Sequence, residues 1–317
     1  MDSLSKLYFL GEEKDPSFVQ GRQGVISPDG LEGDARGKNS TDFQFDRGLP
    51  GRVAKGVNSF IGGGQSNLVS GSDSFAAAGS NNEVAGDMGF VAGESNSVSG
   101  SHGAAFGNLN DVLGNFSFAK GSGHVITAEA ASAEGDGNIV SGYAAHAEGG
   151  LNICDGRYSH AEGLAARAYN DFQHARASGG FSNPGEIGEA QYTNLIARLS
   201  AEENYPRELL VGEEGSIVLM DNKMNVFRIL VCASNPDLSE GAAWELKGII
   251  SKNDTPESTT LIGAVSKTVI SRSNSSWDIA AEADKGNGAL RLMADAEPGQ
   301  SIRWVAFVEM VEVAFYS

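Results

Sequence analysis

The sequence has few of the residues that staple a fold or carry redox chemistry. Its 317 residues include only 2 cysteines, Cys154 and Cys232, and their positions give no disulfide framework, metal motif or redox motif. We expect both to stay reduced, which fits assembly in a reducing cytoplasm, and Cys154 replaces a valine in a buried column. Aromatic residues make up only 8%, whereas 42 glycines make the chain rich in turns.

Positive charge is also scarce. With 41 acidic and 23 basic side chains, the formal net charge is -18, and no basic patch is present that could contact phosphates. Nucleic acid is therefore not expected as a partner. The first residues, MDSLSKLYFLGEEKD, lack the apolar core of a signal peptide. No later segment predicts insertion into a membrane.

The dominant feature is an internal repeat of 14 residues between residues 56 and 183. Self-similarity at a fixed period outranks other indications of fold. Two units of 15 residues come first and a degenerate unit from Asn170 comes last, giving about nine turns. Two glycine columns set the period: Gly86, Gly100, Gly114, Gly142 and Gly156 begin units, and Gly93, Gly107, Gly121, Gly135, Gly149 and Gly163 follow seven residues later.

Each unit has room for two short strands and no helix. A segment of small residues leads to a glycine, then to a polar corner with a recurrent asparagine, then to a short β-branched strand. Because glycine and asparagine accept the positive φ angles of tight corners, the pattern predicts a β-solenoid. The recurrent asparagines are Asn67, Asn82, Asn96, Asn110, Asn138 and Asn152.

A solenoid this narrow encloses little apolar surface, because alanine, serine and glycine bury only small areas at roughly 25 cal/mol per Å². The remaining apolar side chains would have to be covered by neighbouring copies, and three copies around one axis do so with closed symmetry. They are the valine column and Phe60, Phe75, Phe90, Phe106 and Phe118.

These repeats resemble the head repeats of trimeric autotransporter adhesins and the same repeats in tail fibres of tailed bacteriophages. The resemblance covers residues 56–183 and implies a left-handed parallel β-roll that forms a trimer.

After Asn183 the repeat stops and alternating strands separated by turn residues predict an antiparallel β-sandwich. The segment contains the short motifs Ala243-Trp244, Trp277-Asp278-Ile279, Ala283-Asp284, Gly288-Ala289-Leu290 and Trp304-Val305-Ala306. Through these motifs it resembles the C-terminal domain that follows head repeats in phage tail-fibre proteins. The predicted domains are an N-terminal arm (1–55), the β-roll (56–183) and the sandwich (184–317). We expect the three tryptophans to be core residues rather than sugar platforms.

Three histidines, His146, His160 and His174, occupy the fifth position of consecutive units. Glu148 and Glu162 follow two residues later, on the same strand face. In a trimer they would form a ladder at the axis that could bind a metal or an anion. Phenylalanine holds this column in earlier units, so we favour packed rings hydrogen-bonded to a neighbouring chain's glutamate. No metal and no cofactor are predicted.

We predict that the receptor-binding residues lie at the polar hairpin tips, because binding residues concentrate in such loops. Catalysis is not predicted: no triad or phosphate loop is present, and the roll is narrower than polysaccharide-cleaving tailspikes. A depolymerase would need paired carboxylates in a groove. The predicted receptor-binding residues are Tyr205, Arg272, Asn274, Ser275, Asp284, Lys285 and Asn287.

The resemblance implies a homotrimeric, non-enzymatic fibre of a phage virion, assembled in the host cytoplasm. Its arm would dock to other virion or tail proteins, or else cap the first turn. Its head would bind a bacterial surface polysaccharide or outer-membrane component. Two alternatives stay open. One is a structural virion component without a receptor, such as a head fibre, decoration or trimerisation protein. The other, disfavoured by the missing export and anchor signals, is a bacterial surface adhesin.

Overall fold

The computed structural model describes residues 34–181, 183, 185–202, 205–213 and 215–314, with the backbone of 19–21 and 24–26. The described chain is all-β, as predicted, and the helical element within it is the 3₁₀ turn Pro256–Ser258. It divides into two compact units, Met1–Glu148 and Gly149–Ser317. Because this division falls inside the repeats, the domain boundaries at 55/56 and 183/184 stay predictions.

The first unit consists of alternating longer and shorter strands, one of each per repeat. The last of these strands begins in the unit and runs past its end. The strands are β1 Val19–Gly21, β2 Gly24–Ile26, β3 Ser40–Asp42, β4 Phe60–Ile61, β5 Leu68–Val69, β6 Phe75–Ser80, β7 Glu83–Val84, β8 Phe90–Glu94, β9 Ser97–Val98, β10 Ala104–Asn108, β11 Asp111–Val112, β12 Phe118–Ser122, β13 Val125–Ile126, β14 Ser132–Asp136, β15 Ile139–Val140 and β16 His146–Gly150.

Within the repeats, each longer or shorter strand pairs in parallel with its equivalent one repeat later, whereas β1 and β2 pair antiparallel. Ala105 of β10 lies opposite Ala119 of β12, and Val112 of β11 lies opposite Ile126 of β13. Residues 14 apart are therefore neighbours in a ladder, which is the geometry of a β-solenoid. The predicted solenoid is confirmed.

The glycine columns allow the turns to stack closely. A Cβ atom on Gly86 would overlap the carbonyl oxygen of Gly100 in the next turn. Glycine at this position of the first column therefore lets the two turns approach each other. Gly93 has the same restriction against Gly107 and also a φ of +123°, which favours glycine. Each side of the stack is thus fixed by a residue without a side chain.

The recurrent asparagines have a different role from the one that the sequence suggests. The positive φ angles belong to the residues before them, such as Ser95 (55°) and Leu109 (56°). Asn96 is buried, and its Oδ1 accepts hydrogen bonds from the backbone N–H and the side-chain amide of Asn110, at 3.1 and 2.8 Å. The asparagines form a buried ladder along the interior instead of supplying the left-handed corners.

The ladder starts at Gln44 and contains one substitution. The Oε1 of Gln44 accepts the N–H of Asn67 at 2.8 Å, so residues 34–55 that the structure describes contribute to the first turn. His124 stands in the asparagine column, accepts the N–H of Asn138 at Nδ1 and contacts the carbonyl of Lys120 through Nε2. The predicted docking role of the arm falls largely on residues before 34, outside the described residues.

Five phenylalanines form a partly exposed aromatic stripe on the outside of the longer strands. Successive rings lie 4.9 to 5.7 Å apart between centroids. The position equivalent to Phe90 in the next turn is Ala104, and Phe106, two residues further along the strand, fills the gap. We call this the aromatic stripe; its members are Phe60, Phe75, Phe90, Phe106 and Phe118.

The second unit contains the last solenoid strands and the antiparallel strands. Cys154, in the first of these strands, is fully buried, and burial raises the pKa of its thiol to about 12. The strands are β17 Ile153–Cys154, β18 His160–Leu164, β19 Arg167–Ala168, β20 His174–Ser178, β21 Ala190–Ala201, β22 Arg207–Glu208, β23 Ile217–Val218, β24 Lys223–Ser234, β25 Gly241–Lys252, β26 Thr260–Leu261, β27 Ser266–Arg272, β28 Asp278–Asp284, β29 Ala289–Asp295 and β30 Ile302–Ala314.

One sheet of this unit changes from parallel to antiparallel pairing. β18 pairs with β20 in parallel, and β20 then pairs with β21 in the antiparallel sense, with Arg176 opposite Tyr192. β30, β24, β25 and β27 continue the sheet. The outer face of the last solenoid strands is therefore continuous with the outer face of the antiparallel strands.

A second sheet, formed by β22, β23, β28 and β29, contributes to the same hydrophobic core. The centre of this core is three buried tryptophans, with Trp244 and Trp277 at 5.5 and 6.1 Å from Trp304 between ring centroids. The prediction that the tryptophans are core residues is confirmed. The sandwich description and the trimer stay predictions.

A buried ion pair lies where the last solenoid turn meets the antiparallel strands. The Nζ of Lys223 is 2.7 Å from Glu312, and both side chains are fully inaccessible to solvent. Thr193 and Gln191 donate hydrogen bonds to the same carboxylate at 2.6 and 3.1 Å, and Tyr169 donates one at 3.3 Å. Since each of these groups is paired, the solenoid ends on a satisfied polar cluster.

Candidate functional site

The predicted hairpin tips do not form one site. Arg272, Asn274 and Ser275 precede β28, whereas Asp284, Lys285 and Asn287 lie at its other end. Seven residues of extended strand separate the groups by roughly 20 Å. Tyr205, the remaining candidate, is partly buried, packs against the tryptophan core and receives a 3.5 Å hydrogen bond from the indole of Trp304.

Both tips are held by local hydrogen bonds. Asn274 accepts bonds from the backbone and hydroxyl of Ser276, and its amide reaches Glu240 at 3.3 Å. Asp284 accepts the side-chain amide of Asn287 at 2.8 Å, and this bond holds the pKa of the carboxyl below its ordinary value. These bonds account for the polar residues as turn formers, and their assignment to a receptor stays a prediction.

The histidines of the column have different environments in the two compact units, Met1–Glu148 and Gly149–Ser317. In the first unit, the Nδ1 of His146 is 2.7 Å from the hydroxyl of Ser132, and its Nε2 is 3.9 Å from Glu148. In the second unit, His160 and His174 stack with ring centroids 4.7 Å apart and planes 2° apart. The packed rings that the sequence favours are present within one chain.

Glu162 connects the stacked histidines of the second unit to Arg176. Its Oε1 lies 3.4 Å from the Nε2 of His174 and 2.7 Å from the Nε of Arg176. Register places Glu162 directly beside Arg176, because β18 and β20 pair in parallel. Sequence spacing gave the column, but the contact with Arg176 depends on the last repeat, where arginine replaces glutamate.

An open groove of about 540 Å³ lies where β20 meets β21. The strand β20 ends at Ser178 and the chain returns in β21 from Ala190. Of the described residues between these two strands, Phe181 lines the groove. Phe181 (68% exposed), Tyr192 and Val311 supply apolar surface to the lining, and Arg176 and Gln191 supply polar groups.

The polar groups of the groove are oriented by partners. The hydroxyl of Tyr192 donates to Glu309 at 2.8 Å, and partial burial together with Glu309 raises the pKa of this phenol. Arg176 is held by Glu162, and its side chain remains 70% exposed. Aromatic surface with a few placed polar groups is the usual lining of a ligand site.

Sequence reasoning missed this groove, because it depends on the antiparallel pairing of β20 with β21. The aromatic character of Phe181 and Tyr192 beside the degenerate last repeat was the available indication. We take the groove as the candidate functional site, and the cluster of His160, Glu162 and His174 adjoins it through Arg176.

No protein-family model matches the chain, and no curated protein matches it. Solved structures with remote similarity are phage tailspike proteins. The tailspike of Acinetobacter baumannii bacteriophage Fri1, a capsular polysaccharide depolymerase, has a TM-score of 0.26 and 9% identity, covering 93% of this chain and 70% of the tailspike.

Two further tailspikes are similar at the same level. That of another Acinetobacter phage has a TM-score of 0.25 and 10% identity, covering 88% of this chain and 56% of its own. That of Acinetobacter baumannii phage AM24 has a TM-score of 0.23 and 7% identity, covering 88% and 68%. All three belong to the broad kind of protein that the sequence predicts, but the similarity is too remote to identify equivalent residues.

The comparison corrects the prediction that the chain has no enzymatic activity. The sequence predicts a non-enzymatic fibre, partly because the roll is narrower than polysaccharide-cleaving tailspikes. That exclusion is wrong, because a similar structure is itself a capsular polysaccharide depolymerase.

Within the described part of the chain, no helix has the length and apolar character needed to span a membrane.

Proposed function

We propose that this chain is an attachment protein of a tailed bacteriophage that binds polysaccharide on the bacterial surface through the groove between β20 and β21. The observation that carries the proposal is the lining of this groove, where exposed Phe181 and Tyr192 lie beside Arg176. A sugar ring can pack on an aromatic face while its hydroxyl or carboxylate groups bind the polar side chains.

A trimer is part of this proposal. The aromatic stripe leaves five neighbouring phenylalanine rings partly exposed on the solenoid face. The interior beneath it is filled mainly by alanine and valine, so one chain buries little apolar surface per turn. Covering the stripe with neighbouring copies would add that missing burial. Three grooves on one particle would also turn weak sugar contacts into useful avidity.

The resemblance of residues 56–183 to tail-fibre repeats supports a position in the virion. In the proposal, the N-terminal segment 1–55 joins the fibre to other virion or tail proteins, and assembly takes place in the host cytoplasm. The left-handed roll and the antiparallel sandwich belong to the same proposal.

The direct test is binding of the purified full-length chain to host cells and to their isolated surface polysaccharide. We expect a mass near three chains by light scattering, saturable binding, and reduced phage adsorption when free protein is added. Tyr192→Ala and Phe181→Ala should each weaken binding about tenfold, which corresponds to a loss of about 1.4 kcal/mol for one aromatic contact.

Ile196→Ala is the matched control, because Ile196 lies on β21, is 53% exposed and does not line the groove. It should bind like the unmodified chain. Equal loss in the control would contradict the groove assignment. A trimer that binds no cell and no polysaccharide would overturn the attachment function and favour a virion component without a receptor.

Release of oligosaccharides from the isolated polysaccharide should be measured in the same samples. This assay separates attachment alone from attachment with cleavage, and the groove variants should lower both if one site serves both.

A further inference from the structure

The stacked histidines and Glu162 form a group that the attachment function does not require. Parallel pairing of β18 with β20 places His160 beside His174, and Glu162 lies two residues along the same strand face. The ligand atoms of these three residues all lie within 4.8 Å of one another. Three potential ligands therefore converge on one small volume of the sheet surface.

One edge of a tetrahedral site is already formed. Zinc–nitrogen and zinc–oxygen bonds of about 2.0–2.2 Å place tetrahedral ligands about 3.3–3.5 Å apart. The Nε2 of His174 lies 3.4 Å from the Oε1 of Glu162. Among the residues that the structure describes, this nitrogen is shielded from solvent and makes no hydrogen bond. It is thus placed to act as a ligand.

The third ligand requires only a side-chain rotation. The rings of His160 and His174 are almost parallel, with 4.7 Å between centroids. The χ2 torsion of histidine is broad, so an imidazole can turn towards an ion without leaving its χ1 well. The backbone is fixed by the ladder between β18 and β20 and does not need to move.

Arg176 competes with a cation for Glu162. Its Nε lies 2.7 Å from the same Oε1, so a bound ion would have to displace the guanidinium or share the carboxylate. The side chain of Arg176 is 70% exposed, so it can move into solvent at little cost. Removing this arginine should therefore strengthen cation binding.

We propose that His160, Glu162 and His174 bind a divalent transition-metal ion of the zinc class. Two imidazoles with one carboxylate suit Zn²⁺, Co²⁺ or Ni²⁺, whereas Ca²⁺ and Mg²⁺ prefer sites made wholly of oxygen. Three protein ligands leave a tetrahedral ion one position for water or an outside group. The proposed site differs from the sequence-based expectation of no metal.

The test is titration of the untagged full-length chain with Zn²⁺ by calorimetry and with Co²⁺ by visible absorption. We expect saturable binding of Zn²⁺ and the absorption of tetrahedral Co²⁺. His174→Phe should weaken Zn²⁺ binding at least tenfold while keeping the ring stack, because phenylalanine occupies this column in earlier turns. Glu162→Gln should weaken it similarly, and Arg176→Ala should tighten it.

His102→Asn is the matched control. His102 is an exposed histidine outside the group, and asparagine tolerates its φ of 59°. This variant should bind Zn²⁺ like the unmodified chain. The proposal is overturned if the unmodified chain shows no saturable binding, or if His174→Phe and Glu162→Gln bind as well as the control. Circular dichroism of each variant would exclude loss of fold as the cause.

Discussion

The interior of the first unit and the core of the paired sheets in the second unit use different residues for the same purpose. The solenoid interior has small apolar side chains such as Ala105 and Val98, together with the buried asparagine ladder. The core of the paired sheets has Trp244, Trp277 and Trp304 in contact. Stabilisation is spread evenly along the repeats in one region and concentrated in a few large side chains in the other.

This difference teaches where each region is sensitive to substitution. A ladder of identical steps loses one step when one member is changed, because each member contacts only its two neighbours. A core built on stacked tryptophans loses many contacts at once. The two regions should therefore respond with different magnitudes to loss of one buried residue.

The largest effect is expected from Trp304→Ala. Its indole packs against both other tryptophans and is fully buried, so its removal should cost about 3–5 kcal/mol of unfolding free energy. Chemical denaturation followed by tryptophan fluorescence measures it. Val305→Ala, the next residue on the exposed face, should change stability by less than about 0.5 kcal/mol. Similar losses in both variants would contradict a concentrated core.

Lys223→Ala should destabilise the second unit by a comparable amount, about 3–5 kcal/mol, because it leaves the buried carboxylate of Glu312 without its cation. Lys247→Ala removes a lysine whose side chain is 55% exposed and pairs with Glu245. It should cost at most about 1 kcal/mol. Thermal unfolding of the two variants compares them, and equal melting temperatures would show that the buried pair contributes little.

In the solenoid, Asn96→Ala should cost about 1–3 kcal/mol, less than the tryptophan, because it leaves the buried N–H of Asn110 without an acceptor. The amide of Asn110 keeps its bond to the carbonyl of Gly121 at 3.1 Å. Asn115→Ala is the control: Asn115 is exposed, and its Oδ1 accepts the N–H of Ser101 at 2.9 Å in contact with solvent. Because water can replace this acceptor, the control should cost less than about 0.5 kcal/mol. A loss as large as that of Trp304→Ala would mean that the ladder is more cooperative than its contacts indicate.

Much of the solenoid could be predicted from sequence, because the period and the two glycine columns are direct consequences of stacking. The role of the asparagines could not be read from turn chemistry alone. Asparagine suits both a corner and an interior hydrogen bond, and only the backbone conformation shows that Ser95 and not Asn96 has the positive φ. His124, which replaces asparagine in one repeat, was an available indication of the interior role. An imidazole can make hydrogen bonds through both ring nitrogens, as a buried column requires.

The candidate site was less predictable, since it depends on pairing between segments that share no repeat. Polarity marked Arg272 and Asp284 as turn residues, but the seven-residue strand between them separates the two turns. The buried Glu312 was equally hidden, because its partner Lys223 is 89 positions earlier in the chain. The column of His160 and His174 was predicted, and the contact of Glu162 with Arg176 needed the structure.

The smallest expected effect is the change of solenoid stability with pH that the buried His124 causes. Burial lowers the pKa of His124 in the folded chain, opposed by its contact with the carbonyl of Lys120. The unfolded chain protonates near pH 6.5. Stability is therefore fully present above that value and falls as the pH drops towards the folded pKa, because the unfolded state then binds more protons. Denaturant midpoints between about pH 8 and about pH 5 measure this, since histidine titrates in that range.

His124→Asn is the matched variant for this test, because it restores the asparagine of the neighbouring turns and removes the titrating group. Carboxylates contribute equally to both proteins, so the difference between their pH profiles isolates His124. The unmodified chain should lose more stability than the variant on acidification. Parallel profiles would mean that the imidazole is accommodated in its charged form, and the ladder would then tolerate a cation inside a column that otherwise holds neutral amides.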